Sequence, residues 1–267
     1  MAASERDTRQ QAASDFLFEL WQAGDVAERL PSELMPASRR EAYAVQALIE
    51  KRSARPRFGW KIAATSKAGQ AHIGIGGPIA GRLIAERAFD DGAELIFGAN
   101  RMRVIEPEFA FRFGRDLPAR EAPFTVEETV AAVGSLHPAI EIPDSRFADF
   151  AHVGEFALIS DNACAHEFVL GPAAPAIWRS IDLATHPVRA SVAGKLERDG
   201  SGANVLGDPR IALTWLVNEV SGLGITIKAG ETVTTGTSAT PLPIAPGDAV
   251  HADFGPLGQV GLKFREA

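Results

Sequence analysis

From Glu94 onward the chain is cut into short apolar segments by Gly, Pro and Asp, and this punctuation constrains the fold more than any other feature. A stretch divided this way favours short strands. It predicts them at 231–235, 249–254 and 259–264 among others, and a hairpin of 188–192 with 196–198 around Ala193 and Gly194. The first part reads differently. Residues 4–23 predict a helix with Phe16, Leu17 and Leu20 on one narrow stripe and Gly24 as its stop. Ser38 and Glu41 have capping-box spacing, with Ala42, Val45, Leu48 and Ile49 following on one face. Two more helices interrupt the strands. Thr125 and Glu128 cap one over 125–134, and Asp208-Pro209 opens another that buries Leu213, Leu216, Val217 and Val220. The expectation is an α+β chain, with a helical or mixed region at 1–93 leading into a β-rich core at 94–267.

Composition narrows the function. A net charge of -7 without a basic patch argues against a grip on nucleic acid. No apolar run is long enough to span a membrane, and the N-terminus lacks the apolar stretch of a secretory signal. The single cysteine, Cys164, excludes an internal disulfide and a cysteine metal cluster; it fits a reducing cytoplasm and reads as a small buried residue. Small-molecule chemistry is the expectation.

The chemistry concentrates between Val104 and Arg146. Glu106 and Glu108 interrupt the apolar run Val104-Ile105-Glu106-Pro107-Glu108-Phe109, and in an extended segment both point the same way, about 7 Å apart. Glu141, wedged between Ile140 and Ile142 before Pro143-Asp144, predicts a short, half-buried strand carrying one charge. Three carboxylates meeting in a partly dry place repel unless a cation sits among them, and oxygen-only ligands suit magnesium, manganese or calcium. The same residues are also compatible with a solvated face on which Arg103, Arg112 or Arg146 pairs with each acid. Lys61 is alone among apolar neighbours in the strand predicted over 57–64, where a lysine either snorkels to solvent or is held inside for a purpose. The glycine-dense run from Gly74 to Gly81 reads as a shaped loop, since it lacks phosphate-loop spacing.

Glu106-Pro107-Glu108, the run Ala139 to Arg146, Asp161-Asn162 with Phe168 to Gly171, and Gly59-Trp60-Lys61-Ile62 resemble the 2-keto-4-pentenoate hydratase and 4-oxalocrotonate decarboxylase family of the fumarylacetoacetate hydrolase superfamily. Thr235-Gly236-Thr237, Pro246-Gly247-Asp248 and Leu257 to Val260 fit it too, so the resemblance runs from about Ala42 to Phe264. It implies a mixed β-sandwich roll, assembled as a homo-oligomer. It also implies a lyase of aromatic catabolism that hydrates a 2-hydroxy-2,4-dienoate to a 4-hydroxy-2-oxo acid with Mg2+ or Mn2+, passing product to an aldolase. A decarboxylase, a carbon–carbon hydrolase of acylpyruvates and a non-catalytic binding protein on the same fold are the competing readings. By the resemblance Glu106, Glu108 and Glu141 hold the metal, and Lys61 is the first choice for a polar catalytic group, with a pKa lowered by burial near a cation. Ser66 and Thr237 are expected to hold substrate carboxylate, and Asn162 to fix a loop or contact substrate. The family carries an aspartate where this chain has Ile79, so its acid–base role cannot pass to this position. His72 lies near enough in sequence to replace it, and Asp161 is either a loop cap or a functional acid. His137 and His166 lack ligand spacing to a partner.

Overall fold

The computed structural model describes residues 3–266. Six helices run α1 (Ala3–Ala23), α2 (Arg39–Ala47), α3 (Lys67–His72), α4 (Val126–Ala132), α5 (Glu155–Ser160) and α6 (Pro209–Gly222). The strands are β1 (Gly59–Ala63), β2 (Ile79–Leu83), β3 (Ala88–Asp90), β4 (Ala93–Ile96), β5 (Val104–Phe113), β6 (Val133–Ile142), β7 (Glu167–Leu170), β8 (Pro187–Val192), β9 (Leu196–Ser201), β10 (Thr232–Thr237), β11 (Leu242–Pro243), β12 (Ala249–Asp253) and β13 (Gln259–Arg265).

One mixed sheet has the order β2-β1-β10-β5-β6-β7-β3, with β11 pairing the start of β5; a second has the order β4-β13-β12-β8-β9. The two-residue alternation of β5 makes its two faces do different work. Ile105, Phe109 and Phe111 point one way and are fully buried. Phe109 meets Phe254, at the end of β12, edge to face at 5.0 Å, so this face is the seam with the second sheet. The other face carries Val104, Glu106 and Glu108. This is the mixed α/β architecture, with curled sheets and a helical N-terminal segment, that the punctuation of the sequence predicts.

Strands from both sides of residue 93 share the large sheet, since β1 and β2 pair with β10 and each other while β3 pairs with β7. Helices α1 and α2 build a smaller cluster of their own, in which Ala13, Leu17, Leu30 and Val45 pack on Phe147 and Ala157.

Two elements differ from expectation. The glycine-dense run is not loop to its end, because Ile79–Leu83 forms β2, fully buried beside β1. Glycine is required inside it: a Cβ at Gly81 would lie 2.4 Å from the Asn162 carbonyl oxygen and 3.0 Å from the Lys61 stem. The strand around Glu141 is neither short nor half-buried. It begins at Val133, directly after α4, and runs ten residues to Ile142 with Glu141 fully buried.

Candidate active site

Strand register assembles the site. Glu106 on β5 lies directly opposite Glu141 on β6, Glu108 is one pleat further along the same face, and Thr234 of β10 pairs with both Ala110 and Lys61. The three glutamates, Thr234 and Lys61 therefore project from one face of four neighbouring strands, β1, β10, β5 and β6. The three glutamates each offer a carboxylate oxygen within 4.8 Å of the others.

Glu108 and Glu141 are fully buried, while Glu106 is partly exposed to a cavity of about 1000 Å3. Glu108 accepts from the Gly236 amide at 2.8 Å and from the Thr234 hydroxyl, both through Oε2. Its Oε1 and the Oε2 of Glu141 are buried without a hydrogen-bond partner. Orphaned carboxylate oxygens cost folding free energy, and their convergence is what a ligand set for a hard cation looks like before the ion is counted. Three carboxylates against one ammonium also leave two negative charges. The residues fit a divalent cation.

Lys61 is held inside. Its Nζ lies 2.9 Å from Glu141 Oε1 and donates to the Ala163 carbonyl at 2.9 Å, with 2% of the residue exposed. Burial acts to lower its pKa, but the charges of Glu141, then Glu106, overcome it and hold the ammonium above its ordinary range. The lowered value expected from the sequence belongs to a site that holds a cation; the three carboxylates by themselves act the other way. Burial first, and then the charge of Glu141, raises Glu106 to about 7; burial likewise raises Glu108 and Glu141, with Lys61 opposing it.

The Ala163 carbonyl is aimed at Lys61 by three consecutive left-handed residues, Asn162, Ala163 and Cys164, with φ of 55°, 51° and 61°. Such a run costs about 1–2 kcal/mol per residue. The Asn162 side chain stabilises it by accepting from the Arg82 amide at 2.6 Å and donating to the Arg82 carbonyl at 2.8 Å, which fastens the turn to β2. Asn162 fixes the loop and does not line the cavity. Asp161 does not line it either. It is fully occupied by Arg146, whose Nε and backbone amide donate to its two oxygens, and by the Ser145 hydroxyl at 2.7 Å. Its geometry is that of a buried ion pair bracing the turn, and a place among the catalytic groups finds no support in it.

Ser66, His72 and Thr237 all line the cavity. Ser66 caps α3 by accepting from the Gly69 amide at 3.0 Å, and Thr237 donates to the Ala239 carbonyl at 2.5 Å. His72 is exposed at the last turn of α3, edge-on to Phe150 at 6.0 Å. Ile79 is buried in the wall. His137 and His166 are engaged elsewhere, on Ser135 with Gly171 and on Trp21. Cys164 is buried beside Lys61, and burial pushes its thiol up to about 12.

Sequence reasoning missed Thr234, the Gly236 amide, the Ala163 carbonyl and Lys67 at the cavity rim. The signal for the first two was a glycine inside a threonine-rich strand, Thr232 to Thr237. At Gly236, with φ 98°, a Cβ would lie 2.1 Å from the Thr65 hydroxyl, so a side chain there is excluded and the amide can reach Glu108.

Residues 44–265 match the family model described as fumarylacetoacetate (FAA) hydrolase C-terminal. The chain belongs to the fumarylacetoacetate hydrolase family. Within that family it is 29% identical to a 2-keto-4-pentenoate hydratase of Paraburkholderia xenovorans (strain LB400), over 96% of this chain and 95% of the relative. It is 32% identical to a 2-keto-4-pentenoate hydratase of Burkholderia vietnamiensis (strain G4 / LMG 22486), over 84% of this chain and 86% of that one. Its fold is similar to that of 4-oxalocrotonate decarboxylase from Pseudomonas putida G7, solved with magnesium and adipate. The TM-score is 0.87 and the identity 26%, covering 97% of this chain and 98% of that one.

Proposed function

We propose that this fumarylacetoacetate hydrolase family member is a divalent-cation-dependent lyase that hydrates a small 2-hydroxy-2,4-dienoate to a 4-hydroxy-2-oxo acid in aromatic catabolism. The observation that carries the reading is the convergence of Glu106, Glu108 and Glu141, with buried oxygens left unpartnered, beside a buried lysine and a cavity. The named hydratase relatives, and the magnesium in the decarboxylase neighbour, support it.

Glu106, Glu108 and Glu141 would hold Mg2+ or Mn2+. When bound there, the cation would supply Lewis acidity that stabilises negative charge developing on a 2-oxo acid. Lys61 places a fixed positive charge beside that region and, pinned by Ala163, offsets the charge of the dienolate. Ser66, whose hydroxyl accepts from the Gly69 amide and keeps its proton, would donate to the substrate carboxylate; Thr237 would do so by turning its hydroxyl away from the Ala239 carbonyl. The reaction takes the proton from the C2 hydroxyl and places one at C5, then adds hydroxide at C4 and a proton at C3, a net gain of one water. Among the described residues lining the cavity, His72 is the sole imidazole, and its exposed position lets it exchange protons with water. Asp161 braces the turn under Lys61 through Arg146, and Asn162 fixes the same turn to β2.

A second reading, decarboxylation of 4-oxalocrotonate, is favoured by the structural neighbour, and β2 offers the cavity an aliphatic side chain, Ile79, with no proton to give. Incubating the purified chain with 2-hydroxypenta-2,4-dienoate and with 4-oxalocrotonate, each with Mg2+ or EDTA, separates them. Metal-dependent loss of diene absorbance with formation of 4-hydroxy-2-oxopentanoate supports hydration; carbon dioxide release alone supports the decarboxylase. Cleavage of an acylpyruvate alone would make it a hydrolase, and failure to retain any divalent ion would leave a binding protein.

No helix among the described residues is long and apolar enough to cross a membrane. We place the enzyme in the cytoplasm, where the free, buried Cys164 is compatible with reducing conditions. A homo-oligomer is the proposed assembly, and Ile96, 68% exposed, is an apolar side chain that such a contact would cover. An aldolase partner would consume the 4-hydroxy-2-oxo acid.

A further inference from the structure

Glu106 and Lys61 line the cavity, with Glu108 and Glu141 buried behind them, and the rest of its wall decides which 2-oxo acid fits. The face of β5 that carries Glu106 and Glu108 continues with Val104. On the adjoining hairpin Ala63 and Ile79 pair one pleat beyond Lys61 and Gly81, so Ile79 stands beside Lys61 on the same face. Ile73, Met102, Phe150 and Leu158 line the cavity with them. The lining, among the described residues, contains no arginine. Of its two lysines, Lys61 is committed to Glu141 and Ala163, while Lys67 is exposed on α3 with Gln70 Oε1 at 3.4 Å. A volume of about 1000 Å3 also sits at the upper end of small-molecule sites.

We infer that the site selects 2-oxo acids whose far end is uncharged and apolar, and that Ile79 sets this preference. The inference rests on the 2-oxo-acid reading above. A second carboxylate at the far end would lose water against Ile79 and Val104 with no uncommitted buried cation to replace it, since Lys61 is held by Glu141 and Ala163, whereas each methylene leaves water favourably.

The test is calorimetric binding to the Mg2+-loaded chain of pyruvate, 2-oxohexanoate and 2-oxoadipate, the last two being equal in length. At about fourfold per fully buried methylene, and with partial burial allowed for, 2-oxohexanoate binds roughly tenfold or more tighter than pyruvate. The far carboxylate should weaken 2-oxoadipate by roughly tenfold against 2-oxohexanoate. Ile79→Ala lowers the ratio of 2-oxohexanoate to pyruvate affinity severalfold, and the milder Ile79→Val lowers it less; general damage to the fold would weaken both ligands alike. 2-Oxoadipate binding as tightly as 2-oxohexanoate overturns the inference, and loss of that binding in Lys67→Ala would identify the anchor that overturned it. An unchanged ratio in both Ile79 variants overturns the assignment to that residue. If no 2-oxo acid binds, pyruvate included, the 2-oxo-acid reading falls and takes this inference with it, a result distinct from failed selectivity.

Discussion

Removing the charge of Lys61 tests the electrostatics of the site directly. Lys61 is the cation that faces three buried or half-buried carboxylates, with Nζ 2.9 Å from a fully buried Glu141. In EDTA, so that no metal substitutes for it, Lys61→Met leaves Glu141 uncompensated. Breaking a buried ion pair by deleting one partner costs about 3–5 kcal/mol. A chain of 267 residues unfolds with an entropy of about 0.56 kcal/mol/K on the usual per-residue value, so the expected drop in Tm is about 5–9 °C. Glu141→Gln should cost less, because Glu106 and Glu108 still face the lysine. In Lys61→Met/Glu141→Gln neither charge remains, and much of the loss should return. Urea denaturation of the four proteins gives the coupling energy, expected at about 1–3 kcal/mol. Additive single effects, with a coupling below about 0.5 kcal/mol, would refute the claim that this pair is a dry electrostatic unit.

Three other outcomes follow from the same geometry. Mg2+ or Mn2+ at a hundred times its Kd should raise Tm by about 5 °C over EDTA, from about 2.7 kcal/mol of binding linkage; Glu108→Gln should abolish the shift in differential scanning fluorimetry, and a retained shift would move the ion elsewhere. Asp161→Asn should cost about 3–5 kcal/mol in urea melts by stranding Arg146 in the interior, while a metal-induced Tm shift persists in the folded variant; loss of the shift would make Asp161 part of the metal site. Burial, and then Arg87 and Arg146, hold His166 at about 3 in the folded chain against its ordinary 6.5. The unfolded chain therefore takes up a proton first, so stability present above pH 6.5 is lost as pH falls, by at most about 1.4 kcal/mol per pH unit. His166→Gln should flatten that slope between pH 7 and 5, and an equal slope in both proteins would show that His166 is not its source.

The meeting of three carboxylates was legible in the sequence because a carboxylate in an apolar strand breaks a pattern. Glu106, Glu108 and Glu141 stand out against isoleucine, proline and phenylalanine neighbours, and strand alternation alone puts the first two on one face. Lys61 was legible for the same reason. What the sequence hid were backbone contributions: the Gly236 amide and the Ala163 carbonyl carry no side-chain signature, and a left-handed turn built from Asn, Ala and Cys instead of Gly looks like ordinary chain. Strand β2 was hidden because Gly81 serves the Lys61 stem, a contact 20 positions distant that makes a strand resemble a loop. Asp161 was ambiguous because a buried acid reads the same whether it moves protons or holds an arginine, and only the position of Arg146 separates the two. Helix boundaries were readable where caps were explicit, as at Ser38, Thr125 and Asp208.

The face-to-face placement of Glu106 and Glu141 on adjacent strands bears on how the molecule matures. A slip of one residue between β5 and β6 would swing Glu141 to the opposite side of the sheet and bury Ile140 or Ile142 in its place. The three-oxygen grip would vanish while most of the ladder could re-form. An ion captured during folding would thus reward the correct alignment of the two longest strands and act as a proofreader of the chain's topology as well as a tool of its chemistry.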